Sequence, residues 1–278
     1  MRHCRALAAL LLLALISPAG AAQPGNDFRF SIVGDRTGGA VAGVYERVWR
    51  DISLLHPAFA IIVGDTIQGG HDETVEAEWE PIRALLQRYR QFPFYFIAGN
   101  HDVWSAFSRK VFEQQAGRPT FYSFNYQNAH VVVLDNSRIF DLELDQLRFL
   151  EEDLKQNRQR QPKFIFFHQP YWLVFLKFQS GEFPLHRIAK EYGAGFVISG
   201  HGHQLLRMER DGITYMEVGS SGARVKDSFA QGLFYQHIWA EVKGTEVRFT
   251  VKELGAPFGK GRSFTAEEWD AGVPQAAK

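Results

Sequence analysis

The chain has 278 residues, 45% of them hydrophobic and 14% aromatic, and its acidic and basic side chains balance to a formal charge of zero. That length and apolar content suit one large core, and the neutral balance argues against broad affinity for nucleic-acid polymers or anionic membranes. A single cysteine, Cys4, excludes a disulfide framework.

The first segment has Arg2 and Arg5, the apolar run Ala6 to Ile16, and then Ser17-Pro18-Ala19-Gly20-Ala21-Ala22. This order predicts a secretory signal peptide over residues 1–22, cleaved near Ala21 or Ala22. The apolar run is too short for a comfortable membrane span. The expected protein is therefore secreted or periplasmic, without a stable membrane anchor. Losing the leader removes Cys4, two arginines and no acid, so the mature charge is −2.

After a polar lead-in, Phe28 to Val33 predicts a strand that closes in Gly34-Asp35-Arg36-Thr37-Gly38-Gly39. Val41 to Leu55 has apolar residues at helical spacing and stops before Pro57. Phe59 to Val63 reads as a buried strand, ending at Gly64-Asp65-Thr66-Ile67-Gln68-Gly69-Gly70. Thr74 to Arg90 predicts a helix bent or split by Pro81. Pro93 to Ala98 is a third strand, running into Gly99-Asn100-His101-Asp102, and Val103 to Gln115 is helical. This repeated strand, loop and helix is the signature of a mostly parallel sheet.

The pattern then changes. Thr120 to Tyr126 and His130 to Leu134 predict a hairpin turning near Gln127-Asn128. Leu142 to Asn157 reads as an amphipathic helix, and Lys163 to Phe167 as a buried strand ending at His168. Pro184 to Tyr192 is a short helix, and Gly195 to Ser199 a strand ending at Gly200-His201-Gly202-His203. Further strands are expected over Leu205 to Arg210, Ile213 to Val218, Leu233 to Val242 and Val247 to Val251. From Gly255 the sequence lacks periodicity and reads as a C-terminal surface arm, residues 255–278, outside a domain of residues 23–254. The fold class is α/β, with two stacked mixed β-sheets flanked by helices.

Five apolar runs end in Asp, Asn or His: at Asp35, Asp65, Asn100-His101-Asp102, His168 and His201/His203. A single Asp after a strand is usually a turn or a cap. Recurrence at strand ends is different, because ligands bind at the carboxyl edge of open α/β sheets. Carboxylate, imidazole and amide donors together suit Mn, Fe or Zn better than Ca or Mg. Six candidate ligands fit two divalent ions better than one, and their excess positive charge suits an anionic phosphoester. Gly202 is expected to give the backbone freedom for His201 and His203 to reach different ions.

Other residues are weighed beside these. Arg36 is a candidate grip on a phosphate oxygen, and His71 a candidate substrate contact. Tyr171, Trp172 and Trp104 follow site residues and suit either stacking on an apolar leaving group or core packing. Trp49 and Trp79 read as core, while His56, His130, His186 and His237 read as structural residues on helix or strand surfaces.

From about Phe30 to His203, the blocks Asp35, Gly64-Asp65, Gly99-Asn100-His101-Asp102, His168 and Gly200-His201-Gly202-His203 resemble the calcineurin-like (purple-acid-phosphatase-like) metallophosphoesterase superfamily. The resemblance implies a four-layer αββα sandwich and a dinuclear centre at which a metal-bound hydroxide attacks a phosphomonoester or phosphodiester. Asp65 would bridge the ions, with Asp35 and His203 on one and Asn100, His168 and His201 on the other. His101 would bind the phosphate or protonate the leaving oxygen, with Asp102 orienting its ring, and Asn100 would also face the substrate.

One block departs from the family pattern. Thr37 stands where many members have a histidine, and Gln68 stands where purple acid phosphatases have a tyrosine. The first metal is then expected to be completed by Gln68, Thr37 or water, and the loaded protein to be colourless. A small phosphoester is the expected substrate. A nucleotide or cyclic-nucleotide phosphodiesterase, or a non-catalytic binding module on the same fold, is the alternative, and a protein phosphatase is less expected.

Overall fold

The computed structural model describes residues 26–178, 183–226, 228–255 and 261–270; the expected leader lies outside them. Two six-stranded sheets are stacked face to face. In the first, the parallel strands β1 (Asp27–Val33), β2 (Phe59–Ile62) and β3 (Phe94–Phe96) lie in sequence order. Two helices, α1 (Val44–Leu55) and α2 (Val75–Leu86), make the crossovers. α3 (Ala106–Ala116) then leads across to the second sheet.

That second sheet runs in the order β4 (Tyr122–Tyr126), β5 (Ala129–Val133), β6 (Lys163–Phe166), β7 (Phe196–Ser199), β9 (Ile213–Glu217) and β8 (Leu206–Arg210). β5, β6, β7 and β9 are mutually parallel, while the outer strands β4 and β8 are antiparallel to their neighbours. Helices α4 (Leu144–Gln156), α5 (Trp172–Lys177) and α6 (Pro184–Tyr192) cover its outer face. The chain returns to the first sheet through β10 (Gln236–Lys243), antiparallel to β1, and β11 (Glu246–Glu253).

Strand periodicity sorts the side chains into three apolar layers. Phe28, Phe30 and Ile32 of β1 meet Val131, Val133, Phe164 and Phe166 between the sheets. Their neighbours Val33, Ala60 and Ile62 turn outward against Tyr45, Trp49, Trp79 and Phe112 of the first helices. Val132, Ile165 and Val197 pack outward against Leu150, Trp172 and Ile188. Because both faces of the central strands are covered, they read as continuous apolar runs. The predicted α/β class, stacked mixed sheets and flanking helices are all observed.

Several expectations need correction. Pro81 does not split α2, which continues to Leu86 before a 3₁₀ turn over Gln87–Tyr89. Its ring deprives the Ala77 carbonyl of a donor, and Ala77 lies on the exposed helix face where water can serve. α3 begins three residues later than expected because Ser105 and Ser108 form a reciprocal cap.

The supposed surface arm contributes β12 (Ser263–Thr265), which pairs antiparallel with β11 and inserts Phe264 against Phe229, Phe234 and Trp269. A short helix, α7 (Ala266–Asp270), follows it.

His130, His186 and His237 are structural as expected, but they are buried rather than on surfaces. Each ring reaches a carboxylate: His130 with Asp153, His186 with Asp211 and His237 with Asp51. Those partners are far apart in sequence, so the pairing is invisible in local periodicity.

Candidate metal centre

All five predicted loops emerge at the carboxyl edge of the parallel strands. Asp35 follows β1, Asp65 follows β2, and Asn100 to Asp102 follow β3, all in the first sheet. His168 follows β6, while His201 and His203 follow β7, in the second. The donors therefore meet across the seam between the sheets.

His168 lies at the centre. Its Nε2 is 3.2 Å from Asp65 Oδ2 and 3.2 Å from Asn100 Oδ1, and its Nδ1 donates to the Val63 carbonyl oxygen at 2.8 Å. A carbonyl only accepts, so Nδ1 carries a proton, and Nε2 is the ring atom that faces the donor cluster and would give up its own proton to bind a metal. Ligand atoms of Asp65, His168 and His201 all lie within 4.8 Å of one another. On the other side His203 Nε2 lies 3.4 Å from Asp35 Oδ2, and the His201 amide donates to the Asp35 carboxylate at 3.0 Å. The His101 amide donates to Asp65 Oδ1 at 2.9 Å.

This arrangement fits divalent cations. Oxygen and nitrogen donor atoms of Asp65, Asn100 and His168 converge, and the buried Nδ1 of His201 has no hydrogen-bond partner among the described residues. Asp35, Asp65, Asp102 and Glu217 are four carboxylates buried in one region. Such a concentration of buried anionic donors calls for positive charge.

The electrostatics of the metal-free protein reflect this. Burial pushes the Asp65 carboxyl up, but the charge and hydrogen bond of His168, together with the His101 amide and charge, outweigh it and hold it near 2. Burial likewise pulls His168 down, but the charge and hydrogen bond of Asp65, with the Asp35 charge and the Val63 carbonyl, together override it and leave the imidazole near 10. His201 is lowered by burial and by the charge on His168. For His203, burial is outweighed by the hydrogen bond to Asp35 together with the charges of Asp35 and Asp65 and the Arg224 backbone, so its affinity for a proton is raised.

Backbone strain marks the same loops. Asp65, His201 and His203 have φ of 50°, 80° and 57°, in the left-handed region that β-carbon-bearing residues avoid. The two histidines diverge by their own strained backbones, and Gly202 has no positive φ. Gly202 serves instead a close approach, because a β-carbon there would sit 2.0 Å from Glu217 Oε1. Gly64 has a related role, since a β-carbon would meet His168 Nδ1 at 2.5 Å.

Glu217 was not among the residues expected at the site. It ends β9, a strand parallel to β7, and its buried carboxylate accepts from the backbone of Gly202 and Gln204. Burial and the Asp35 charge push it up to about 8. The signal was present: a carboxylate interrupts the apolar run Ile213 to Val218 at its carboxyl end.

Other expected residues take different partners. Asp102 does not hold the His101 ring. Its Oδ1 accepts from the amides of Thr66 at 2.8 Å and Ile67 at 3.2 Å, and its Oδ2 from Gly99 at 3.0 Å. Burial and the Asp65 charge raise the Asp102 carboxyl to about 7, against the pull of those donors. The His101 ring is held by Gln68, whose carbonyl oxygen lies 2.5 Å from Nδ1.

Arg36 donates to the Thr66 carbonyl at 3.0 Å and lies over the Tyr45 ring, which ties the first loop to the second. Thr37 donates to Gln68 Oε1 at 2.6 Å, so these two candidates for completing the first metal are paired with each other. Tyr171 and Trp172 are core residues of the second sheet, and Trp104 packs against the first helices. His71 is exposed ahead of α2, its carbonyl accepting from Thr74.

A double sheet carrying carboxylate, amide and imidazole donors on the edge between its layers is the framework of a metal-dependent phosphoesterase. The chain belongs to the calcineurin-like phosphoesterase family, whose model matches residues 30–205. Solved structures share the fold at low identity. A purple acid phosphatase from yellow lupin (Lupinus luteus) seeds is 14% identical with a TM-score of 0.63, over 86% of this chain and 53% of that one. This chain thus spans about half the length of the lupin protein. A dimetal phosphatase from Danio rerio is 14% identical with a TM-score of 0.58, covering 86% of this chain and 98% of that one. GAP50, the anchor in the inner membrane complex of Plasmodium, is 14% identical with a TM-score of 0.61 and covers 90% and 95%.

Proposed function

We propose that the protein is an exported hydrolase of small phosphomonoesters or phosphodiesters that works with two divalent ions of Mn, Fe or Zn. The observation that carries this reading is the convergence of Asp65, Asn100, His168 and His201 across the sheet seam, with His101 beside them. In this reading Asp35 and His203 would hold one ion and Asn100, His168 and His201 the other, with Asp65 shared between them. The contacts of His203 with Asp35 and of His168 with Asp65 and Asn100 support that division. When bound, the ions supply Lewis-acid charge and a nucleophile at neutral pH.

The chain's own residues do the rest. Val63 fixes the His168 tautomer, so that Nε2 keeps its lone pair for a metal. Gln68 orients the His101 ring by accepting from Nδ1, and in the imidazolium form the second proton, on Nε2, would hold a phosphate oxygen or pass to the leaving oxygen. The backbone bond from His101 to Asp65 would couple the position of this acid to the ligand the two ions would share.

The test is hydrolysis of an aryl phosphate and an aryl phosphodiester by chelator-stripped protein reloaded with Mn, Fe or Zn. The reading fails if no metal gives a rate above that of a His101→Ala, Asp65→Ala double variant. The ratio of the two rates separates a monoesterase from a nucleotide-type diesterase. The pairing of Thr37 with Gln68 favours, as a second reading, a binding module with a weakened first site. Metal binding without turnover is its signature. Export rests on the leader alone, and the N-terminal sequence of the mature protein from a fractionated cell tests it.

A further inference from the structure

The loop between β5 and α4 is clamped to the backbone of a candidate metal ligand. Asn136 is fully buried; its Oδ1 accepts from the amides of His168 at 3.1 Å and Gln169 at 2.9 Å, and its Nδ2 donates to the Gln169 carbonyl at 2.8 Å. Gln169 replies, its Nε2 donating to the carbonyls of Asn136 at 2.6 Å and Ser137 at 3.2 Å. Gln146 of α4 closes the base of the loop by exchanging hydrogen bonds with the Asp135 backbone. Both amide atoms of Asn136 and of Gln146 are engaged, as is Nε2 of Gln169, and such a buried network makes a rigid support.

What this support presents is apolar. Phe140 is 49% exposed, and its ring centroid lies 6.5 Å from that of His201 with the planes at 55°. Single exposed apolar side chains are ordinary on protein surfaces. This one sits beside a candidate metal ligand, on a loop fixed through the backbone of another. A brace for the His201 ring would be packed tightly, and that ring already has His168 edge-on at 5.1 Å. Phe140 instead keeps half its surface open beside the place where a phosphoester would bind. A group bonded to that phosphate would reach the phenyl face, which offers a flat apolar body contact area but gives hydroxyl groups no partner.

We propose that Phe140 is a specificity-determining wall of the site, and that the protein acts on phosphoesters whose leaving group carries a flat aromatic body packed on this ring. The inference rests on the phosphoesterase reading and adds the substrate class.

The experiment compares the metal-loaded full chain with its Phe140→Ala and Phe140→Trp variants on phenyl phosphate and glycerol phosphate, with inhibition by phenylphosphonate and methylphosphonate. Comparing substrate ratios between proteins cancels the different intrinsic reactivity of the two esters. Phe140→Ala should lower the phenyl-to-glycerol ratio of kcat/KM roughly five- to tenfold, and Phe140→Trp should retain the preference. Phenylphosphonate should bind the parent protein roughly five- to tenfold more tightly than methylphosphonate, and Phe140→Ala should lose that margin. Equal loss on both esters would make Phe140 a support for His201 and overturn the proposal. So would a parent protein that hydrolyses both esters with no phosphonate preference, which leaves the phosphoesterase reading standing. If neither ester is hydrolysed and neither phosphonate binds, that reading falls and the proposal with it.

Discussion

His101 is held at two points, by its amide on Asp65 and by its ring on the Gln68 carbonyl, and neither bond uses Nε2, the atom proposed to work on the substrate. His101→Ala is expected to lower kcat about a hundredfold or more, the usual scale of a lost general acid. Metal content, read by elemental analysis, should stay at the parent level because the ligands are elsewhere. Asp102 predicts the opposite separation. Removing its carboxylate strands three buried backbone donors. Asp102→Ala should cost about 3 kcal/mol or more and lower Tm by about 6–12 °C. If Asp102 instead acted through the His101 ring, a variant would shift the pH profile of kcat and leave Tm nearly unmoved. With Gln68 in the place of a tyrosine, iron-loaded protein should show no tyrosinate charge-transfer band in its visible spectrum. A strong band would contradict this. The positions of these residues were legible in sequence because each ends a strand. Their partners were not: Asp102 reaches Thr66 and Ile67 across 36 and 35 residues, through a loop conformation that no local pattern encodes.

At the scale of elements, strands buried on both faces announced themselves as apolar runs, and Pro184 to Tyr192 was legible to the residue. α5 was not, because Trp172 to Phe175 is apolar on every side and has no helical period. β12 was missed for another reason: three residues are too few to show alternation, and only the free edge of β11 gives them a partner. Phe264 tests the weight of that strand. It is buried among Phe229, Phe234 and Trp269, so Phe264→Ala should cost about 3 kcal/mol or more. A urea titration should show the midpoint falling. A midpoint equal to that of the parent would return residues 263–265 to the status of a loose arm.

For the whole molecule, the decisive fact is that the candidate ligands come from both sheets: Asp35, Asp65 and Asn100 from one, and His168, His201 and His203 from the other. Ions that bind only the folded arrangement stabilise it by mass action, about 2.7 kcal/mol at a hundredfold excess over Kd. Chelation should then lower Tm by about 5–10 °C, and re-addition of the correct ion should restore it. A Tm indifferent to chelator would mean that metal does not bridge the sheets. The seam also has a kinetic side. The amides of His101 and His201 are tied to Asp65 and Asp35, so their exchange with deuterated solvent reports how often this edge of the sandwich opens. Ions at the seam should slow that exchange, while the turn of the β4–β5 hairpin, at Gln127 and Asn128, should exchange as before. The centre would then set the breathing of one rim of the protein, closing it as a clasp closes two covers.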